Sequence, residues 1–135
     1  MTSESSGFLA ALQANGTVRM VYTKPVDDVA LGNFLQIQSD GTSIISGADG
    51  QVLRVVRPTG HVFEYRYDDF SMRLIEITFP DKSVWRLFQD RKWFLLGRDG
   101  HVNKQLNFTP SVDQDGTLWL RDSQGFCRQY VYRIR

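Results

Sequence analysis

Two histidines and one cysteine are the side chains of this 135-residue chain best suited to nucleophilic or metal chemistry. His61 and His101 lie forty positions apart, each directly after a turn glycine, and Cys127 follows near the C-terminal end. Nucleophilic catalysis needs a base beside the nucleophile and a third group that orients the base, and a zinc site needs closely spaced ligands. No local motif joins these three residues. We therefore expect no catalytic residue, no metal site and no cofactor, and we expect Cys127 to be a buried strand residue.

Acidic pairs and phosphate-binding loops offer no stronger case for an enzyme. The pairs Asp27-Asp28, Asp68-Asp69 and Asp113/Asp115 fall in predicted turns, where aspartate binds nearby backbone amides. The chain contains neither Gly-x-Gly-x-x-Gly nor Gly-Lys-Ser/Thr, the motifs that cradle phosphates. An enzyme is therefore the third interpretation, and it predicts a cleft with clustered ionisable groups near His61 or His101.

Aromatic rings and arginines are the other residues with functional potential. Three Trp, nine Phe and five Tyr occur mostly beyond residue 60, and most of the basic residues are Arg. Two interpretations stay open: the rings form the core and cross-strand pairs, or rings and arginines form a binding face with good interface anchors. The candidate binding residues are Tyr65, Tyr67, Trp85, Trp93, Trp119, Arg128 and Tyr130.

The charge balance argues against nucleic acid and membranes as partners. Sixteen Lys+Arg and fifteen Asp+Glu give a net charge of +1. No apolar run approaches the ~20 residues of a membrane-spanning helix, and the first residues lack the basic start and long apolar core of a secretory signal. We therefore expect a cytoplasmic protein whose partner is another protein or a second copy of itself.

Regular turn signals dominate the organisation of the chain. Asp-Gly and Asn-Gly pairs supply the positive φ angles that hairpin turns need, and between Gly41 and Gly100 the turns follow one another about every nine to twelve residues. The segments between them are rich in β-branched and aromatic residues. This spacing predicts an all-β, antiparallel meander of about eight to ten short strands, twisted and open or partly closed. The predicted strands are 17–22, 33–38, 51–57, 61–67, 73–79, 83–89, 92–97, 101–108, 117–121 and 126–133.

Period-two alternation indicates one apolar face. In 61–67, Phe63, Tyr65 and Tyr67 share a face, while Glu64 and Arg66 lie on the other. Such a dry face must be covered by a second layer, a docked element or a partner.

The N-terminal segment offers one candidate cover. Gly7–Ala14 is predicted to be a short helix that ends at Asn15-Gly16. We assign residues 1–135 to one domain, with 1–16 as a capping segment and 17–135 as the meander, and 24–31 as a loop or single turn.

Residues 60–81 resemble a YD-repeat (Rhs-type) unit. The matching features are Gly60, Tyr65-Arg66-Tyr67-Asp68, Arg73-Leu74 and Pro80-Asp81, and the sequence departs from the pattern at Lys82, where the unit has a turn glycine. The resemblance implies a structural β-sheet element. Glycine-punctuated single-sheet modules, such as the C-terminal repeat domain of centriole-assembly scaffold proteins, look similar.

A small barrel is the principal alternative. Arg128 and Tyr130 have the spacing to share one face of the last strand, as in the Arg-x-Tyr that holds a carboxylate in the fatty-acid-binding-type barrels that the chain resembles. That reading predicts a small apolar carboxylate ligand and an inward-pointing Arg128. Our first expectation is a non-catalytic structural or protein-interaction module that uses an aromatic and Arg-rich sheet face or a sheet edge.

Overall fold

The computed structural model describes the backbone of residues 8–12 and 18–22, and residues 33–133 with their side chains. The chain divides into two compact units, Met1–Val62 and Phe63–Arg135. The assignment of 1–135 to one domain stays a prediction.

Unit 1 is an antiparallel meander. Each strand pairs with the next along the chain, as hairpins of β-rich sequence do. The strands are β1 (Phe8–Leu12), β2 (Val18–Tyr22), β3 (Phe34–Ile37), β4 (Ser43–Ser46) and β5 (Val52–Val56).

The predicted N-terminal helix over 7–14 is not shown, because Phe8–Leu12 is strand β1 and pairs with β2, with Phe8 opposite Tyr22. A helix of two turns forms few hydrogen bonds for the residues it orders, whereas β2 offers a complete ladder to the same five residues. The predicted loop 24–31 lies outside the described residues.

Unit 2 contains two antiparallel sheets. In the first, strands β6 to β10 follow in chain order, and in the second β12 lies between β11 and β13. A tight connection, Gln89–Arg91, joins β8 to β9. The strands are β6 (Val62–Tyr67), β7 (Leu74–Thr78), β8 (Val84–Phe88), β9 (Lys92–Leu96), β10 (Val102–Gln105), β11 (Thr109–Val112), β12 (Leu118–Arg121) and β13 (Cys127–Gln129).

The all-β, antiparallel prediction is confirmed. Within the described part of the chain, thirteen strands and no α-helix occur, and no helix there is long and apolar enough to cross a membrane. The sequence analysis missed β4 and β11. Each has only four residues, and β11 contains Pro110, which lacks the amide that a strand ladder uses.

Most of the hairpins share one turn geometry. At Gln38–Thr42, for example, the Gln38 amide donates to the Thr42 carbonyl and the Gly41 amide donates to the Gln38 carbonyl. The fourth residue has a positive φ, so these are three-residue loops with a glycine bulge and not the tighter two-residue turns. The residues in this position are Gly41, Gly50, Gly60, Lys82, Gly100, Gly116 and Gly125.

Aspartates hold these turns in place. In Asp40, Asp81 and Asp99 a carboxylate oxygen accepts a hydrogen bond from the amide two residues later, at 2.9 to 3.1 Å. The pKa of Asp81 is lowered, chiefly by the hydrogen bond from the Ser83 hydroxyl. The folded turn therefore stabilises the ionised form of the Asp81 carboxyl group.

The core of unit 2 lies on one face of β6–β9. Residues directly opposite in neighbouring strands point to the same face, and the register places Tyr65, Ile77 and Trp85 in one row. The C-terminal segment covers this face: the Tyr130 ring lies 5.1 Å from the Trp85 ring, and the Tyr132 ring stacks 6.0 Å from Phe79. The chain's own C-terminal segment thus packs against the predicted dry face.

Candidate interaction surface

A row of charged residues crosses the opposite face of the same strands. Arg66 on β6 is opposite Glu76 on β7, which is opposite Arg86 on β8. Glu76 Oε1 accepts hydrogen bonds from Arg86 Nε at 2.8 Å and from Arg66 Nη2 at 3.1 Å. The register of the two hairpins therefore brings one carboxylate between two guanidinium groups.

The electrostatics of this row keep Glu76 ionised. Burial acts to raise the pKa of Glu76, but hydrogen bonds from Arg66 and Arg86, with their positive charges, outweigh it, and the pKa is lowered overall. The hydrogen bond and charge of Glu76 in turn raise the pKa of Arg66. The Glu76 side chain is only 16% exposed, whereas those of Arg66 and Arg86 are 61% and 43% exposed.

Aromatic rings continue the row at β9. Phe94 is opposite Arg86, and the Phe88 and Phe94 rings meet edge to face with centroids 5.1 Å apart. We call the surface formed by Arg66, Glu76, Arg86 and Phe94 the outer face. It combines arginine side chains with an aromatic ring, and both arginine and aromatic residues are enriched at protein–protein interfaces.

The structure places three of the predicted binding residues in the core. Tyr65, Trp85 and Trp93 are each between 3% and 6% exposed. The Trp85 ring contacts Phe79 and Phe108 at 4.6 and 5.1 Å. These positions agree with the core interpretation given above for the rings.

The other predicted residues are more accessible. Tyr67 and Trp119 are half-buried. The Trp119 indole Nε1 donates a hydrogen bond to Asp113 Oδ2 at 2.9 Å. The other carboxylate oxygen, Asp113 Oδ1, accepts hydrogen bonds from the backbone amides of Asp115 and Thr117 in the turn. The indole is therefore fixed in position by its own hairpin turn.

Arg128 and Tyr130 do not form a carboxylate clamp in an enclosed cavity. Arg128 is exposed, whereas the Tyr130 ring packs on Phe79 and Trp85. Burial, together with the charges of Tyr132 and Asp81, raises the pKa of Tyr130. The barrel alternative needs both groups to face an interior ligand, and strands β6 to β10 have an open order among the described residues.

The two histidines follow hairpin turns, and the cysteine lies on an edge strand. The His61 ring is hydrogen-bonded to the Thr59 hydroxyl, and His101 Nδ1 lies 3.0 Å from Asp99 Oδ2 within one turn. Among the described residues, no group of three or more His, Cys, Asp or Glu is placed to hold a metal ion. Cys127 is exposed and not buried as expected, because it pairs with the exposed Arg121 at the edge of a sheet.

Exposed apolar side chains are the feature that sequence reasoning missed. Phe70 is 95% exposed, and Met72 is 49% exposed. Both lie in the connection between β6 and β7, where the Asp68-Asp69 pair predicts a turn. The sequence does carry a signal for this exposure, because Phe70 is a large aromatic residue within a mostly polar turn of six residues, 68–73.

The sheet edges carry features that oppose strand addition. β10 has a register shift between Val102 and Lys104, and β13 has only three residues, with Arg128 in its centre. Bulges, short length and charge are the usual means by which an edge strand avoids pairing with another chain. The outer face is therefore a better candidate surface than the edges at β10 and β13.

Comparison with known proteins leaves the family open. No protein-family model matches the chain, and no curated protein matches it. Among solved structures, the G-box domain of the microcephaly protein CPAP, for which a role in centriole elongation has been suggested, is similar over 94% of this chain and 100% of its own. The identity is 18% and the TM-score is 0.29, and at that TM-score we draw nothing about function from the likeness.

Proposed function

We propose that this protein is a non-catalytic interaction module that binds another protein through the outer face of unit 2. The observation that supports this proposal is the pair of arginines that Glu76 orients. The guanidinium groups of Arg66 and Arg86 are held by hydrogen bonds to Glu76, yet the two side chains stay about half exposed. A side chain that is already ordered loses less entropy when it binds.

The chemistry of the outer face favours an acidic protein segment as the partner. Arg86 uses Nε on Glu76, and a guanidinium has five N–H donors, so donors remain for a partner carboxylate. Phe94 beside Arg86 supplies an apolar contact next to the charge. Arginine and carboxylate form the stronger, bidentate class of hydrogen-bonded ion pair.

The test is a quantitative pull-down that compares three purified proteins. The face variant carries Arg66→Gln, Glu76→Gln and Arg86→Gln together, because removal of the whole network leaves no partly buried charge without a partner. Arg121→Gln on β12 is the control, since it lowers the net charge by the same single unit. Unfolding curves of all three proteins establish that the fold is retained.

We expect the pull-down to recover proteins that bind the wild type and Arg121→Gln but do not bind the face variant. Their retention should weaken as salt is raised, because exposed charge pairs are screened. If no protein distinguishes the face variant from the control, the proposal is wrong.

A further inference from the structure

The connections β6–β7 and β8–β9 leave the sheet of unit 2 at the same end. Strands β6 to β9 are antiparallel neighbours, so the connection after Tyr67 and the connection after Phe88 lie on one side, whereas the β7–β8 turn lies on the other. The register of β7 with β8, extended by two residues, brings Leu74 level with Phe88. The two connections are therefore neighbours in space.

This end of the sheet gathers exposed apolar side chains. Phe70, Met72 and Phe88 are three of the six large apolar residues that are exposed in the described part of the chain. We call them the end patch. The Phe70 ring is almost entirely in solvent, where an isolated aromatic side chain of this size gains most from burial against another surface.

The backbone that carries the end patch is held in unusual conformations. Met72, Asp90 and Arg91 are three of the four described non-glycine residues with positive φ. Asp68 holds the first connection, since its Oδ2 accepts hydrogen bonds from the amides of Phe70 and Ser71 at 3.1 and 2.7 Å. Non-glycine residues with positive φ concentrate where function requires a particular loop shape.

The charges of the two connections are complementary to each other. Residues 68–73 contain Asp68, Asp69 and Arg73 and carry a net charge of −1, whereas residues 89–92 contain Asp90, Arg91 and Lys92 and carry +1. In a two-fold contact, the same surface on each copy meets its partner in reverse. The acidic connection of one copy would then face the basic connection of the other.

We propose that the end patch is a dimerisation surface for a second copy of this chain. Phe70, Met72 and Phe88 are buried across a two-fold axis, and residues 68–73 of one copy lie against residues 89–92 of its partner. Because the patch is small compared with standard interfaces, the dimer is weak, with a dissociation constant on the order of 10–100 µM. The end patch adjoins the outer face, because the Phe88 ring meets Phe94 there, so the dimer is tested with variants of Phe70, Asp69 and Arg91, which are not outer-face residues.

The test is sedimentation equilibrium of the full chain with a reducing agent, which keeps the exposed Cys127 from forming disulfide-linked dimers. The wild type should change from 15.5 kDa to twice that mass as its concentration rises to about 1 mM. Phe70→Ser should raise the dissociation constant at least about tenfold. Phe126→Ser is the matched control, because Phe126 is 70% exposed and precedes β13, and it should leave the constant unchanged.

Charge reversal tests the arrangement of the two connections. Asp69→Lys should weaken the dimer, because both connections then repel each other, and addition of Arg91→Glu should restore it. A wild type that remains monomeric at the highest concentration overturns the proposal, and so does equal behaviour of Phe70→Ser and Phe126→Ser or a double variant that is not restored. Phe70-dependent binding of a monomeric protein to vesicles of phosphatidylcholine and phosphatidylserine would assign the patch to a membrane instead.

Discussion

The carboxylate of Glu76 lies 2.8 Å from Arg86 Nε, across the pairing of β7 with β8. The same oxygen also accepts from Arg66 on the other neighbouring strand. One acidic residue thus connects three strands on the outer face of unit 2, and the free energy of unfolding should depend on it.

Glu76→Gln should lower the free energy of unfolding of unit 2 by about 1 kcal/mol, since both partners are substantially exposed and screened by solvent. Arg86→Met should cost more than Arg66→Met, because the Arg86 contact is shorter and its side chain is less exposed. Urea unfolding followed by tryptophan fluorescence measures this, since all three tryptophans lie in unit 2. Equal costs for the two arginine variants would contradict the geometry.

Lys82→Gly should stabilise the protein by up to about 1 kcal/mol. Lys82 has a φ of 74° in the turn position that glycine occupies in the other hairpins of this type, and a left-handed conformation costs a residue with a Cβ about 1–2 kcal/mol. Greater freedom of glycine in the unfolded chain offsets part of this gain. Lys82→Ala keeps the Cβ and serves as the control, and a similar gain there would show that relief of φ is not the cause.

Trp85→Ala should destabilise unit 2 by about 3–5 kcal/mol, the usual cost of removing a buried ring. The Trp85 ring touches Phe79, Phe108 and Tyr130, so its loss leaves a cavity between the sheet and the C-terminal segment. Thermal melts together with size-exclusion chromatography measure the effect. An unchanged melt with altered assembly would instead place Trp85 at an interface.

The pKa of Asp81 should rise toward its ordinary value when Ser83 is replaced by Ala. The Ser83 hydroxyl is the largest cause of the lowered pKa, and the Ser83 amide also donates to the carboxylate. A carboxyl whose folded pKa is lowered stabilises the fold above its unfolded pKa, and this stabilisation is lost as the pH falls through the folded pKa. In the wild type the loss should therefore occur below pH 3.8, the ordinary pKa of an aspartate. In Ser83→Ala the stabilisation should be smaller, and its loss should be complete at a higher pH.

An NMR titration of the Asp81 carboxyl group in both proteins checks this expectation, and urea unfolding between neutral and acid pH gives the matching stability curves. Identical titration curves in the wild type and in Ser83→Ala would show that the hydroxyl does not hold the carboxylate.

Local chemistry made much of the fold predictable. An Asp-Gly pair specifies a turn locally, because the carboxylate accepts a hydrogen bond from the amide two residues later and the glycine adopts the positive φ. Apart from β4 and β11, the strands of residues 33–133 were therefore predicted to within a few residues, and the alternation of Phe63 and Tyr65 with Glu64 and Arg66 identified the two faces. The helix predicted for 7–14 was not shown because an apolar segment of this length fits a strand equally well when a neighbouring strand is present.

Tertiary structure decided what the sequence pattern left open. Whether Trp85 belongs to a core or to a binding face depends on what covers it, and the Tyr130 ring, 45 residues later in the chain, packs against it while Tyr132 stacks on the neighbouring Phe79. Likewise, Glu76 reaches both arginines only because the lengths of two hairpins set their register. Turn chemistry acts within five residues and can be read locally, whereas burial and cross-strand contacts depend on residues that only the folded chain brings together.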